Sequence, residues 1–471
     1  MGALLNILFI TSDQHRGDTL GCMGHPCVRT PHLDLLAGEG ALFTQAYTNC
    51  PITPPARTSM ITGIPAYING DMKYNPRHVI ARPKETLLAS LLTRAGYQSC
   101  CVGKTGWQIG KTGRGGFETV VPLDRLGRER LLKTGRPWGA SGIGGNEFYP
   151  SLSLVPPELH ATDWIVDRCI EFLEEREDTQ PFFLYASFHA PHPPNTIHEP
   201  YYSMYDDEKI PEPVLPDWAA EDSPFLPVTI REMRYGNSHF PMKPNERRKA
   251  RGVYYGLVTN LDHQLGRLFG MIMRQGAWNN TLVLYTTDHG DHLGDYGMFF
   301  KGTFLEGSGH IPFIVKAPED SGARKGIVSN AVIDLVDILP TFCEAAGAPV
   351  PGGVRGKSLW SILRGEAGVV HDYIHGQMGE KHMIHDGRHK YLYHVEDGRE
   401  LLFDKSTDPL DEHNLSENET LVGPLREKLV RHLERDKHEH VAGGALRNNN
   451  RPFNEAQRTN VIGWSGLAGS L

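Results

Sequence analysis

The sequence predicts an α/β protein: a large sheet sandwiched by helices, with a small antiparallel α+β subdomain at its C-terminal end. Two observations predict it. Short apolar runs of strand length alternate with longer amphipathic segments over most of the chain, and after about residue 370 the pattern changes to short alternating pieces set off by Asp-Gly turns. In order, residues 5–10 read as a strand followed by a helix over 32–40. A helix over 86–95 leads into a strand over 99–102, a helix over 164–175 into a strand over 182–187, and a helix over 253–274 into a strand over 281–287. Strands that alternate with helices lie parallel, because each crossover lays a helix on one face of the sheet. Ligands of such sheets sit beyond the carboxyl ends of the strands. Residues from about 190 to 250 are rich in Pro, Asp, Glu and Met without clear periodicity, which reads as a long insertion over that rim. HKYLYHV and GRELLFD, with Asp-Gly at 386–387 and 397–398, read as hairpins covered by a helix from about 421 to 435. The expected division is 1–370 for the main α/β domain and 371–440 for the small subdomain. An Asn- and Gly-rich tail over 441–471 is either loose or an arm that orders on a neighbouring subunit, which favours a homo-oligomer.

Bulk properties exclude several classes. A chain of 471 residues exceeds a single small core. Its net charge of -8, with no Lys/Arg run, removes nucleic acid as a partner. The opening MGALLNILFITSDQ has no basic region before its apolar stretch, unlike a signal peptide, and nowhere do roughly 18 apolar residues run together, so no membrane partner is expected. The 7 cysteines are scattered rather than spaced as a disulfide framework, so the expected compartment is the cytoplasm.

Two strand ends carry acids. ILFITSDQ places Asp13 and Gln14 just past the first strand, and TLVLYTTDHGDHLG places Asp288 and His289 just past a later one. Singly, each Asp is as well explained as a turn cap. Together, at the ends of two apolar strands, they make an oxygen-rich site with one imidazole that suits a single divalent ion: Mn²⁺, Ca²⁺ or Zn²⁺. NCPITPPARTSMITG supplies a hydroxyl, Thr53, ahead of two prolines and the start of a helix, where the helix dipole favours negative charge. Arg57 follows about one turn later. Beside a divalent cation Thr53 is a plausible activated nucleophile; without one it is part of a proline-rich turn.

NCPITPPARTSMITG also resembles the signature of the sulfatase family, within the alkaline phosphatase superfamily: Cys or Ser, any residue, Pro, any residue, Arg, then Thr-Gly. DQHRGD resembles that family's first metal motif, GYQSCCVGK the segment ending in an active-site Lys, and APHPP the segment with an active-site His. YYGLVTNLDHQLGRL resembles the long helix before the second metal strand, and TDHGDHLGDYGMFFKGTFLEGSGHIPFIV the second metal motif with its substrate-binding Lys. RHKYLYH and ELLFDKSTDPLDEHNL resemble the C-terminal subdomain, so the likeness spans about residues 5 to 416 in order. It implies a mixed α/β sandwich, metal ligands Asp13, Gln14, Asp288 and His289, and Arg57, Lys104, His192 and Lys301 around the transferred group of a small anionic ester. The Asp-His pair and GKTG are most similar to the phosphonate monoester hydrolase and phosphodiesterase branch, which implies a Mn²⁺-like metal and a broad ester range; of the three ions, Mn²⁺ or Ca²⁺ is favoured.

One departure stands out. Sulfatases carry a Cys or Ser that is oxidised to formylglycine, and here that slot is Thr53; Cys50 is three residues early and lacks Pro and Arg at the required offsets. Three readings stay open: a hydrolase of sulfate, phosphate or phosphonate esters working through Thr53, a form inactivated by Cys-to-Thr replacement, and a non-catalytic protein that binds oxyanions. Of the neighbouring residues, His189 and His310 read as structural, and Asp291, His292 and Asp295 as hydrogen-bonding support of the metal motif.

Overall fold

The computed structural model describes residues 5–70, 72, 82–106, 115–135, 144–177, 179–206, 208–236 and 238–458. Its main-sheet strands and principal helices follow one another as β1 (Asn6–Asp13), α1 (Pro31–Gly38), β2 (Ala41–Tyr47), α2 (Thr53–Thr62), α3 (Leu88–Arg94), β3 (Gln98–Gly103), β4 (Thr119–Pro122), α4 (Ala161–Glu175), β5 (Phe182–Pro191), α5 (Pro244–Arg274), β6 (Thr281–Thr287), β7 (Phe313–Lys316), β8 (Ile327–Asp334) and α6 (Ile338–Ala345). They form an 8-stranded sheet in the order β8-β2-β7-β6-β1-β5-β3-β4. The sheet is mixed: β7 runs antiparallel to both its neighbours, while the other pairs are parallel.

Alternation along the strands builds the two core layers. Ile7 and Phe9 of β1 point to one face, where they pack with Met60 of α2, Leu88 and Leu92 of α3 and Phe342 of α6. Leu8 and Ile10 point to the other, among Leu33 of α1, Ile165 of α4 and Leu261, Leu265 and Leu268 of α5. Every one of these positions is essentially closed to solvent, so period-two alternation within continuous apolar runs is what a strand covered on both faces requires.

The C-terminal subdomain is a 4-stranded antiparallel sheet of β9 (Ile374–Met378), β10 (Lys381–His385), β11 (His389–His394) and β12 (Arg399–Asp404). Gly387 and Gly398 take φ values of 96° and 72° in the two turns that the Asp-Gly pairs predict, a conformation that only glycine adopts without strain. The helix α7 (Glu419–Arg435) lays Val422, Leu425, Leu429 and Leu433 on this sheet. The stretch after it folds back on its own chain: Asn449 and Arg451 donate backbone N–H groups to Val395 and Glu396. Residues 459–471 of the expected tail lie outside the described residues. The insertion around 190–250 wedges between the rim and this subdomain, with Trp218 packed on Tyr296 and Phe403 and its Nε1–H donated to Asp411 O at 2.8 Å.

A buried charge network fastens the subdomain to the main sheet. Lys390 Nζ lies 2.8 Å from Glu306 Oε2 and 2.7 Å from Asp411 Oδ2, and Lys405 Nζ lies 3.0 and 2.8 Å from the same two side chains. Tyr47, on β2, donates its hydroxyl to Glu306 at 2.9 Å. Burial alone would raise the Glu306 carboxyl, but Lys390, Lys405 and His310 outweigh it and hold it well below 4.5. Lys390→Met leaves two carboxylates short of a cation in a dry site and is expected to destabilise the fold by about 3–5 kcal/mol, read as a lower urea midpoint. Folding depresses the Glu306 carboxyl, so its contribution is complete above the unfolded value of 4.5 and disappears as pH falls through the lower folded value. Acid titration of stability is expected to show that loss in the wild type and a smaller one in Glu306→Gln.

Candidate active site

Register brings the first pair of acids together. β1 and β6 are parallel neighbours with Ser12 opposite Thr287, so Asp13 and Asp288 leave the sheet side by side, both fully buried. Gln14 then turns the chain at φ 67°, outside the usual range for a residue with a side chain; Tyr254 of α5 holds that turn by donating to Gln14 O at 2.7 Å and accepting from Arg16 N–H at 3.0 Å. His289 follows Asp288 directly. Its Nδ1 lies 3.0 Å from Gly290 O, so Nδ1–H donates there and the Nε2 lone pair faces inward.

Thr53 is the first residue of α2, and its Oγ1 lies 3.0 Å from His289 Nε2 and 3.5 Å from Asp13 Oδ2. Arg57, one turn on, lies beneath rather than beside the open space. Nε donates to Asp288 Oδ2 at 2.9 Å, Nη1 to Lys104 O and Ser187 Oγ at 2.9 and 2.5 Å, and Nη2 to Ser12 O and Asp13 Oδ2 at 3.1 and 3.3 Å. All the N–H groups of a guanidinium are thereby engaged. Arg57 holds the two carboxylates in place, where the resemblance puts it on the transferred group.

The remaining cations ring the site. Lys104, at the end of β3, places Nζ 2.6 Å from Asp13 Oδ2. Burial pushes the Asp13 carboxyl up, but the Lys104 and Arg57 cations overcome it and keep the group well below its usual range. Lys301 Nζ lies 2.5 Å from Gln14 Oε1 and 3.0 Å from His192 Nε2. Burial lowers the Lys301 ammonium to about 8. His192, past β5, points Nδ1 at Pro193 O at 2.7 Å; burial, then Lys301 and Lys104, push its imidazole well below 6.5. It is therefore neutral here, accepting from Lys301 through Nε2.

The neighbours divide cleanly. His189 Nε2 lies 3.0 Å from Pro193 O, with its ring 4.8 Å from that of His192, and His310 Nδ1 lies 2.9 Å from Glu306. Asp291 accepts from the Gln14 side-chain amide and from Leu293 N–H, which orients Gln14. Asp295 is held by Arg16 at 2.7 Å and His292 by Thr303 at 3.2 Å. Two contributors escaped the sequence reading. Ser187 braces Arg57 and Lys104 O together, and Gly106, at φ 69°, lies so close that a Cβ there would sit 2.6 Å from Arg57 Cδ and 3.2 Å from Thr53 Cγ2. Ser187 carries no signal in one sequence, and Gly106 shows there only as the last residue of GKTG, because each acts through shape.

The arrangement fits a divalent cation. Asp13, Asp288 and His289 each direct one ligand atom into a common space, these atoms lying within 4.8 Å of one another. Asp13 Oδ1 is buried without a hydrogen-bond partner, a costly state unless a cation meets it.

Comparison with known proteins decides the family. The chain matches the Sulfatase family model over residues 5–348. It belongs to the sulfatase family. Sulfatase-family membership makes it a hydrolase of the sulfuric and phosphoric ester class. A model described as N-sulphoglucosamine sulphohydrolase, C-terminal, matches residues 294–439. An arylsulfatase of Clostridium perfringens is 32% identical, covering 94% of this chain and 97% of that protein. A multifunctional alkaline phosphatase superfamily protein, PehA, of Trinickia caryophylli is 29% identical over 76% of this chain and 77% of its own. The phosphonate monoester hydrolase of Silicibacter pomeroyi shares the fold, with a TM-score of 0.78, 23% identity and coverage of 95% of this chain and 100% of its own. Among the described residues of this sulfatase-family chain, no helix is long and apolar enough to cross a membrane.

Gly106→Ala tests the packing under the site. The added methyl collides with Arg57 and strains a left-handed backbone, so activity toward whichever ester is turned over is expected to fall about 10²-fold, as a shift of about 1 Å at the reacting groups does. Stability should fall by about 1–3 kcal/mol.

Proposed function

We propose that this chain is a metal-dependent hydrolase of sulfate or phosphate and phosphonate esters in which Thr53 is the nucleophile. The observation that carries the reading is the position of Thr53 Oγ1, at the tip of α2, against His289 Nε2 and Asp13 at the space where the ligand atoms converge. Mn²⁺ or Ca²⁺ suits a set of two carboxylates, an amide oxygen from Gln14 and one imidazole, with Zn²⁺ the alternative. When bound, the ion supplies Lewis acidity that lowers the pKa of an attached hydroxyl and neutralises charge on the ester oxygens.

The chain's own residues do the rest. Arg57 fixes the carboxylates, and Thr53 Oγ1, its proton given up to solvent, is aligned to attack phosphorus or sulfur while the bond to the leaving alkoxide breaks. Lys104 and Lys301 flank the transferred oxygens, where fixed positive charge is worth most. Lys301, with a pKa of about 8, holds a proton at neutral pH and stands 3.0 Å from His192 Nε2. Lys301 can pass that proton to the leaving oxygen, with His192 Nε2 accepting from the ammonium and orienting it. Threonine has no aldehyde route, so the covalent ester on Thr53 is released when water attacks the central atom and the bond to Oγ1 breaks, Oγ1 recovering a proton.

Thr53→Ala is expected to reduce turnover by at least about 10³-fold across aryl sulfate, phosphate monoester, diester and phosphonate substrates. Acid-quenched wild-type enzyme should carry the transferred group on Thr53 by peptide mass. Undiminished turnover by Thr53→Ala refutes the nucleophile, and wild-type protein that binds phosphate but turns over no member of the panel makes the chain an oxyanion binder. Dialysis against a chelator is expected to remove activity and readdition of Mn²⁺ to restore it.

A further inference from the structure

We propose that His382, His438 and His440 form a second metal site, distinct from the carboxylate rim, that takes a borderline transition ion such as Zn²⁺ and ties the segment after α7 to the C-terminal sheet. One nitrogen from each lies within 4.8 Å of the other two, the same convergence that marks the rim site. His382 Nε2 and His440 Nδ1 are 2.8 Å apart, joined by a single proton. The rings of His438 and His440 are 4.6 Å apart, and those of His382 and His440 5.0 Å.

The local build favours ligation. His382 stands on a rigid strand, 1% exposed, and its other nitrogen, Nδ1, lies 3.2 Å from His375 Nε2. That contact fixes the ring and its tautomer as a supporting hydrogen bond does in histidine-metal sites. His438 and His440 flank Glu439 in the turn beyond α7, so a His-x-His pair faces a histidine on a strand.

Donor chemistry chooses the ion. Three imidazoles without a carboxylate suit Zn²⁺, Cu²⁺ or Ni²⁺ and not Ca²⁺ or Mg²⁺, and a fourth position is left for water. The location suggests a structural purpose. Tyr67, in the short helix Ala66–Asn69 that follows α2, lies 5.1 Å from the His375 ring and 6.2 Å from that of His438, and donates to Asp436 Oδ2 at 2.7 Å. An ion here locks the α7 end, the small sheet and the segment following the Thr53 helix into one unit.

The test separates the two sites by counting. The full chain carrying Asp13→Asn and Asp288→Asn, titrated calorimetrically with Zn²⁺, is expected to bind one equivalent and to rise in melting temperature. Adding His438→Gln and His440→Gln should abolish both effects. Retention of the same equivalent by that variant, or no binding by the rim variant, overturns the proposal. Should the rim variant fail to fold, Co²⁺ added to the wild type decides: the increment in visible d–d absorption must diminish in His438→Gln, and an unchanged spectrum refutes the site. Zinc bound at His382 with an inactive rim, or the reverse, also shows which of the two readings has failed.

Discussion

The structure depends on one guanidinium. Parallel pairing of the first strand with the strand at 281–287 puts Asp13 and Asp288 next to each other in a dry interior, where repulsion and lost hydration both oppose ionisation. Arg57, 0% exposed, answers with every N–H it has, two of them on those carboxylates. Burial by itself would drain its charge, but Asp288, Tyr185 and Asp13 raise it above the usual value, so the cation is permanent. Because Arg57 must reach both acids, its helix must start at the rim. A residue four positions earlier on a helix lies on the same face, and that residue is Thr53. The position of Thr53 is thus a by-product of the ion pair.

The same helix shows why side chains supply the positive charge above the site. Residues 54 and 55 are prolines, so two backbone N–H donors that a helix tip normally offers an anion are missing, and Ala56 N–H is already donated to Ile52 O. A dipole remains, but little hydrogen bonding. Lys104 and Lys301 fill the gap from a strand end and from a loop. Lys104 reaches the site because Gly103 crosses Ser187 so closely that a Cβ would lie 2.0 Å from Ser187 O, letting the strand end turn toward Asp13.

Much of this was legible in the sequence, and the physical reasons for what was not are specific. Long apolar strands ending in Asp13 and Asp288 announce themselves, as do the hairpins at Asp386-Gly387 and Asp397-Gly398. The strands Ala41–Tyr47, Phe313–Lys316 and Ile327–Asp334 did not, since four to eight residues with mixed alternation carry little periodicity, and the antiparallel strand that makes the sheet mixed is the shortest of them. The role of Arg57 required knowing that Ser12, Lys104, Ser187 and Asp288 meet, a convergence of residues up to 276 positions apart. The imidazole cluster was hidden for the same reason: His382 is separated from His438 and His440 by two strands and a helix.

Two oddities of the sequence, Thr in the place of Cys or Ser and Gly at the end of GKTG, become one feature in three dimensions. Threonine differs from serine by a methyl, Cγ2, which has to be housed once the hydroxyl faces His289. The housing is Gly106: a Cβ there would stand 3.2 Å from Thr53 Cγ2, closer than nearly all such contacts, and 2.6 Å from Arg57 Cδ. Its left-handed backbone, at φ 69°, keeps the loop against the helix without a side chain to intrude. Here the loop that carries Lys104 is cut to the shape of Thr53 and Arg57 together, so hydroxyl, guanidinium and cation-bearing loop behave as a single packed unit.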